Sequence, residues 1–171
     1  GLVSFATALG AFAMKPLARP VLRRFGFRRA LVGGALLSAA GIALLAALSP
    51  SWPLPAIFGV LALGGLFRSL QFSALNALAF ADLPSERLSA GTSLFGTAQQ
   101  LAPALGVVLA TAALEASAHW AGRPALGMGD FAAAFVVAAA VIAASAPLHA
   151  RLAPDAGAAV SGHAAAAPKA G

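Results

Sequence analysis

Few residues in this 171-residue chain could carry chemistry. The five acids, Asp82, Glu86, Glu115, Asp130 and Asp155, fall at the ends of apolar stretches, in connections or near the end of the chain. The histidines, His119, His149 and His163, are scattered and lack ligand spacing. The absence of cysteine removes disulfides and thiolate metal sites. No glycine-rich phosphate loop and no serine–histidine pattern is legible. The sequence therefore predicts no catalytic residue, metal or cofactor, and an enzyme is not expected. One residue stands apart. Arg68 sits at the midpoint of the apolar stretch 54–82, and at about 1.5 Å per helical residue it lies roughly 21 Å from Asp82. A hydrocarbon core is about 30 Å thick, so the guanidinium has no easy route to either surface. An unpaired cation there costs at least roughly 2.5–3.5 kcal/mol, and such residues face a bundle interior or a watery cavity. Arg68 thus predicts a polar interior, a first pointer to transport.

On a helix, Gly64, Arg68, Gln71 and Leu75 fall within a narrow arc, with Asn76 about 80° from Arg68. One reading is a water-accessible face on which Arg68 meets a carboxylate or an anionic group of a substrate, bordered by Gln71 and Asn76. The other is that Arg68 and Gln71 tie this helix to a neighbour through backbone carbonyls. Further along, Gln99 and Gln100 are placed near mid-membrane, and at least one must find a partner inside the bundle.

The elements that hold these residues follow from composition. Hydrophobic residues make up 60% of the chain and charged residues 9%, with mean hydropathy +0.88, where a soluble domain carries about a quarter charged residues. The class is an all-α integral membrane protein. The formal charge of +6 would raise nucleic acid as a partner in a soluble protein. Here the basic residues gather at the ends of apolar stretches, so the expected partner is the lipid bilayer. The chain opens at Gly1 inside an apolar run without a basic n-region or cleavage site. It reads as the C-terminal portion of a longer protein.

Five spans are expected, at about 1–18, 30–48, 54–81, 88–114 and 131–148. Lys15 and Pro16 mark the exit of the first, and 19–29 is a basic connection. Ser49, Pro50, Ser51, Trp52 and Pro53 form a turn. Asp82 is a plausible N-cap for the fourth span, followed by Pro84 and Glu86. Residues 149–171 are rich in Ala, Gly and Pro and read as a disordered tail. With alternating sides, Lys15, Arg19, Arg23, Arg24, Arg28, Arg29, Arg87, Arg151 and Lys169 share one face, and only Arg123 falls on the other. That asymmetry marks the first face as cytoplasmic and makes the tail cytoplasmic.

The basic connection resembles the short cytoplasmic loop that major facilitator superfamily transporters repeat in each half. Arg24, Gly26, Arg28 and Arg29 match its Arg, second Gly and basic end, while Arg19 and Arg23 replace its first Gly and its Asp. Independently of any family, Gly26 permits a tight turn and the arginines hold it at an anionic leaflet. The order of runs between Gly64 and Ala110, Arg-Ser-Leu-Gln, Asn-Ala-Leu-Ala and Gln-Gln-Leu, is similar to the fourteen-span drug:proton antiporters of EmrB/QacA type. Ala98, Ala102, Pro103 and Gly106 resemble a weakened antiporter motif of that family, although close helix packing and a proline bend would also explain them.

The resemblance implies about five transmembrane helices from the C-terminal half of a major-facilitator bundle in a bacterial inner membrane. It implies a proton-coupled multidrug exporter working by alternating access, whose partners are the missing N-terminal spans, protons and a small amphipathic substrate. A metabolite-specific transporter of the same fold and a truncated, non-transporting membrane segment are the alternatives. No span carries an acid, so a coupling carboxylate would lie outside this chain.

Overall fold

The computed structural model describes residues 2–47, 49, 51–81 and 83–163, and no strand occurs among them. Helix α1 runs Leu2–Ala46, α2 Leu54–Ala81, α3 Leu88–Trp120 and α4 Met128–Ala150, and a four-residue α5 spans Ala158–Ser161. A 3-10 turn, Ser85–Arg87, leads into α3. The first four helices are each long and apolar enough to cross a membrane.

Helix α1 has 45 residues, about 68 Å if straight, which is more than twice a hydrocarbon core. It is not straight. Gly26 has φ 73° and ψ 166°, a break inside the run, in a region that favours glycine because it has no Cβ. The contacts show that the chain folds back there. Ser69 Oγ of α2 donates to the Ala11 carbonyl at 3.0 Å, and two residues on, Gln71 accepts from Ser38 Oγ at 3.4 Å. On a straight helix residues 11 and 38 would stand about 40 Å apart. They can reach one turn of α2 only if the two halves of α1 lie side by side.

This corrects two expectations. The first span does not end at Lys15 and Pro16, and 19–29 is not a loop. Helix continues through Pro16 and Pro20 and on either side of Gly26. Pro16 and Pro20 each withhold one helical N–H yet stay within the run, and Gly26 alone departs from helical φ/ψ, so the reversal is made there. The separation of the first two spans is therefore a hinge residue rather than a segment. Helix α3 also runs past 114 to Trp120, and α4 starts at Met128 rather than 131.

Packing concentrates on α2. Leu22, Phe27, Ala30 and Leu31 around the α1 reversal surround Ala74, and Met14 and Ala18 pack on Leu70. Higher up, the backbones nearly touch. A Cβ on Gly10 would overlap the Ala62 carbonyl oxygen, and one on Gly65 would overlap that of Thr7. Small residues let helices approach this closely, which substitutes dispersion contacts for the hydrophobic drive that lipid removes. Helix α4 lies against α1, and α3 packs chiefly on α4. Outward from these contacts, large apolar side chains such as Leu94, Leu105, Val107 and Val141 are exposed, as befits helices covered by lipid or by further helices.

The expected disordered tail differs in its first part. Residues 151–163 turn back onto the α1 reversal, with Leu152 against its core cluster and Gly157 so close that a Cβ would meet the Phe27 ring. His163 Nδ1 lies 2.9 Å from the Arg23 carbonyl oxygen. Gly157 and Gly162, at φ 65° and 67°, supply the turns. The rest of that tail, 164–171, and the Asp82 N-cap lie outside the described residues.

Candidate functional site

A cavity of about 340 Å³ opens between the two halves of α1, the middle of α2 and α4. Its size is at the low end of small-molecule sites, ~300–1,000 Å³. Ile42, Leu45, Val60, Leu61 and Ile142 supply apolar walls. Thr7, Ser38, Arg68 and Gln71 supply the polar ones.

Helical spacing explains the polar set. Arg68 and Gln71 are three residues apart on α2 and so share a face. Gly64 and Gly65 lie one turn earlier, and Gly41 faces them across the cavity. Nothing lies within 4 Å of where a Cβ would stand on Gly64 or Gly41, so glycine at these positions leaves room in front of the arginine. Ser38 donates to Gln71 Oε1 at 3.4 Å, which orients the amide with its Nε2 donors away from Ser38. Among the described residues Arg68 has neither hydrogen-bond nor ion-pair partner, and no carboxylate lines the cavity. Its side chain is exposed rather than tied to a neighbouring carbonyl.

The other sequence candidates divide. Asn76 and Gln99 come together, Gln99 Nε2 donating to Asn76 Oδ1 at 3.3 Å, while Asn76 Nδ2 donates to the Phe72 carbonyl at 2.7 Å. Phe80 and Phe95 stack edge to face beside them, with centroids 5.5 Å apart. This pair bridges α2 and α3 and does not line the cavity. Gln100 is exposed, without a partner among the described residues. Ala98, Ala102, Pro103 and Gly106 are likewise exposed on α3, and no atom lies within 4 Å of a Cβ built on Gly106. Among the described residues the close packing expected of that motif has no partner. Of the loop residues, Gly26 is buried at the reversal, whereas Arg24, Arg28 and Arg29 are exposed around it. Arg24 stands over the Phe25 ring at 5.7 Å.

One polar constellation was not expected from the sequence. Asp130, in the first turn of α4, is fully buried. Its Oδ1 accepts from Ser117 Oγ at 2.6 Å and from Arg123 Nη2 at 2.5 Å, and its Oδ2 accepts from the Gly127 amide at 2.8 Å. The signal was present: Arg123 and Asp130 are the only charges between Glu115 and the end of α4. It was hidden because an acid at the start of a helix is ordinarily a solvated cap.

Apolar helices long enough to span, folded around a small cavity that an arginine lines at mid-helix, define a multi-pass membrane protein. The chain belongs to the Major Facilitator Superfamily, whose sequence profile matches residues 1–169. Among curated relatives it is similar to the putative multidrug resistance protein MdtD of Yersinia enterocolitica, 38% identical over 126 residues, which is 70% of this chain and 25% of that one. The MdtD protein of Serratia proteamaculans is 36% identical over 126 residues, with the same coverage of each chain. That of Yersinia pestis strain Pestoides F is 35% identical over 167 residues, 92% of this chain and 34% of the relative. The chain thus spans about a quarter to a third of the length of these relatives. No solved structure matches it.

Proposed function

We propose that this chain forms the C-terminal helices of a proton-coupled exporter of drug-like molecules, of the fourteen-span EmrB/QacA type, in a bacterial inner membrane. The observation that carries the reading is the cavity between α1, α2 and α4, with Arg68 presented to it at mid-helix. The names of the MdtD relatives support the substrate class. Alternating access follows as one helical bundle rocks against the other around a central site, with the tight α1–α2 crossing holding this bundle together. Protons would be carried by a carboxylate elsewhere in the transporter, since none lines this cavity among the described residues.

Inside-out vesicles bearing the full-length transporter test this. Respiration should drive uptake of at least one member of a panel of cationic, neutral and anionic dyes, and a protonophore should abolish it. Vesicles bearing residues 1–171 alone should accumulate none, because half of a rocking pair has nothing to rock against. Full-length vesicles that match empty ones for every dye would overturn the reading.

The proposed orientation places the α1 reversal in the cytoplasm and the α3–α4 connection outside, from the distribution of basic residues. Cysteine at Arg24 and at Ala125, both exposed, should react with an impermeant maleimide from opposite sides of the membrane. Reaction of both from the same side would refute it.

A further inference from the structure

We propose that the α1–α2–α4 cavity binds organic anions, molecules with one carboxylate on an apolar body, in preference to lipophilic cations. The inference rests on the reading of this cavity as part of the transport path and names the ligand class it selects.

The polar side chains on the α2 face of the cavity are donors. A guanidinium has five N–H groups and no acceptor. Gln71 has its oxygen engaged by Ser38 Oγ at 3.4 Å, and its Nε2 has no partner among the described residues. Arg68 and Gln71 are one turn apart on the same face, so a carboxylate placed between them can take two guanidinium hydrogens on one edge and an amide hydrogen on the other. A cationic ligand would meet a like charge and find no acidic side chain in the lining. In a low-dielectric surrounding that difference is larger than in water. The remaining walls, Ile42, Leu45, Val60, Leu61 and Ile142, fit an apolar body. Asp130, the buried acid nearest in chain order to α4's cavity-lining Ile142, is not the counter-ion of Arg68: it is paired with Arg123 and lies about 18 Å along α4 from Ile142, outside the lining.

The test is equilibrium dialysis of purified full-length transporter with three matched radiolabelled probes: 2-naphthoate, neutral 2-naphthamide and cationic 2-naphthylmethylammonium. Naphthoate should bind at least about tenfold tighter than either of the others, the scale of charge-assisted hydrogen bonds. Arg68→Gln should bring naphthoate to within about twofold of naphthamide, and an unchanged gel-filtration profile of the detergent-extracted variant reports that it is folded. Arg68→Lys should keep part of the preference, because it keeps charge without the planar fork. Equal affinity for the three probes, stronger binding of the cation, or a naphthoate preference that survives Arg68→Gln would each overturn the proposal. So would a carboxylate from outside residues 1–171 that neutralises Arg68, since naphthoate would then gain nothing over naphthamide. Export of cationic dyes by vesicles with no naphthoate preference would leave the export reading standing and remove this one. Arg68-dependent naphthoate binding without any energised transport would do the reverse.

Discussion

Gly65→Ala is expected to disrupt the α1–α2 pair more than any other single-methyl change on α2. The added Cβ would fall on the Thr7 carbonyl oxygen, and backbone cannot step aside as a flexible side chain can. Gly10→Ala places its methyl on the Ala62 carbonyl at the same crossing. Overpacking typically costs about 1–3 kcal/mol, and relief here requires the helices to move apart. Separation would loosen Ser69 Oγ from the Ala11 carbonyl and Leu70 from Met14 and Ala18. The measurement is the monodisperse fraction of detergent-extracted full-length protein against temperature. Gly65→Ala and Gly10→Ala should each lose it at lower temperature, and the double variant should lose less than the sum, because one displacement relieves both overlaps. Gly59→Ala and Gly96→Ala, with nothing within 4 Å of the new methyl, are the controls. Equal melting of Gly65→Ala and Gly59→Ala would show that the close crossing is not what holds the pair together.

The sequence showed which stretches are helical because an apolar run of some twenty residues has few other uses. It could not show that α1 reverses at a single residue. Arg19 to Arg29 carries the signals of a loop, two prolines in or beside it and a run of charge. Yet the structure keeps all but Gly26 in helical geometry despite the backbone hydrogen bond each proline forgoes. Only Gly26 has a backbone angle that helix cannot use. At the site, Arg68 and Gln71 were legible because their spacing on one face is set by helical geometry alone. Which helices stand opposite them depends on the fold of α1, and so Ser38 and Thr7 as neighbours were not legible. Asn76 and Gln99 show the same boundary: both read as mid-membrane polar groups, and only the structure pairs them with each other rather than with the cavity. The segment 151–163 has only Leu152 and Val160 as larger apolar residues, too few to announce packing, but its small residues let Gly157 lie against Phe27 at close range.

The second large effect is expected at Asp130, and it should be unequal between the two members of its ion pair. Asp130 is 0% exposed, whereas the Arg123 side chain is 41% exposed. Asp130→Ala removes the acceptor for Ser117 Oγ, Arg123 Nη2 and the Gly127 amide at once. Three donors at the α3–α4 junction then lose their common acceptor, and a donor left unsatisfied away from water costs about 1–3 kcal/mol. Arg123→Gln removes one donor, and solvent can reach the place it leaves. The carboxylate keeps Ser117 and Gly127, so the junction should survive. Asp130→Asn should fall between, since an amide retains one acceptor oxygen but brings a donor group where the site already supplies donors. Limited proteolysis of the full-length protein within the connection 121–127, together with membrane abundance, reads the result. Asp130→Ala should be cleaved fastest and be least abundant, Asp130→Asn intermediate, and Arg123→Gln near wild type. Combining Asp130→Ala with Arg123→Gln should add little to the loss, because the guanidinium, 41% exposed, is solvated once its partner is gone. If Arg123→Gln is as damaging as Asp130→Ala, the junction depends on the ion pair itself. The assignment of Asp130 as the common acceptor of three donors would then be wrong.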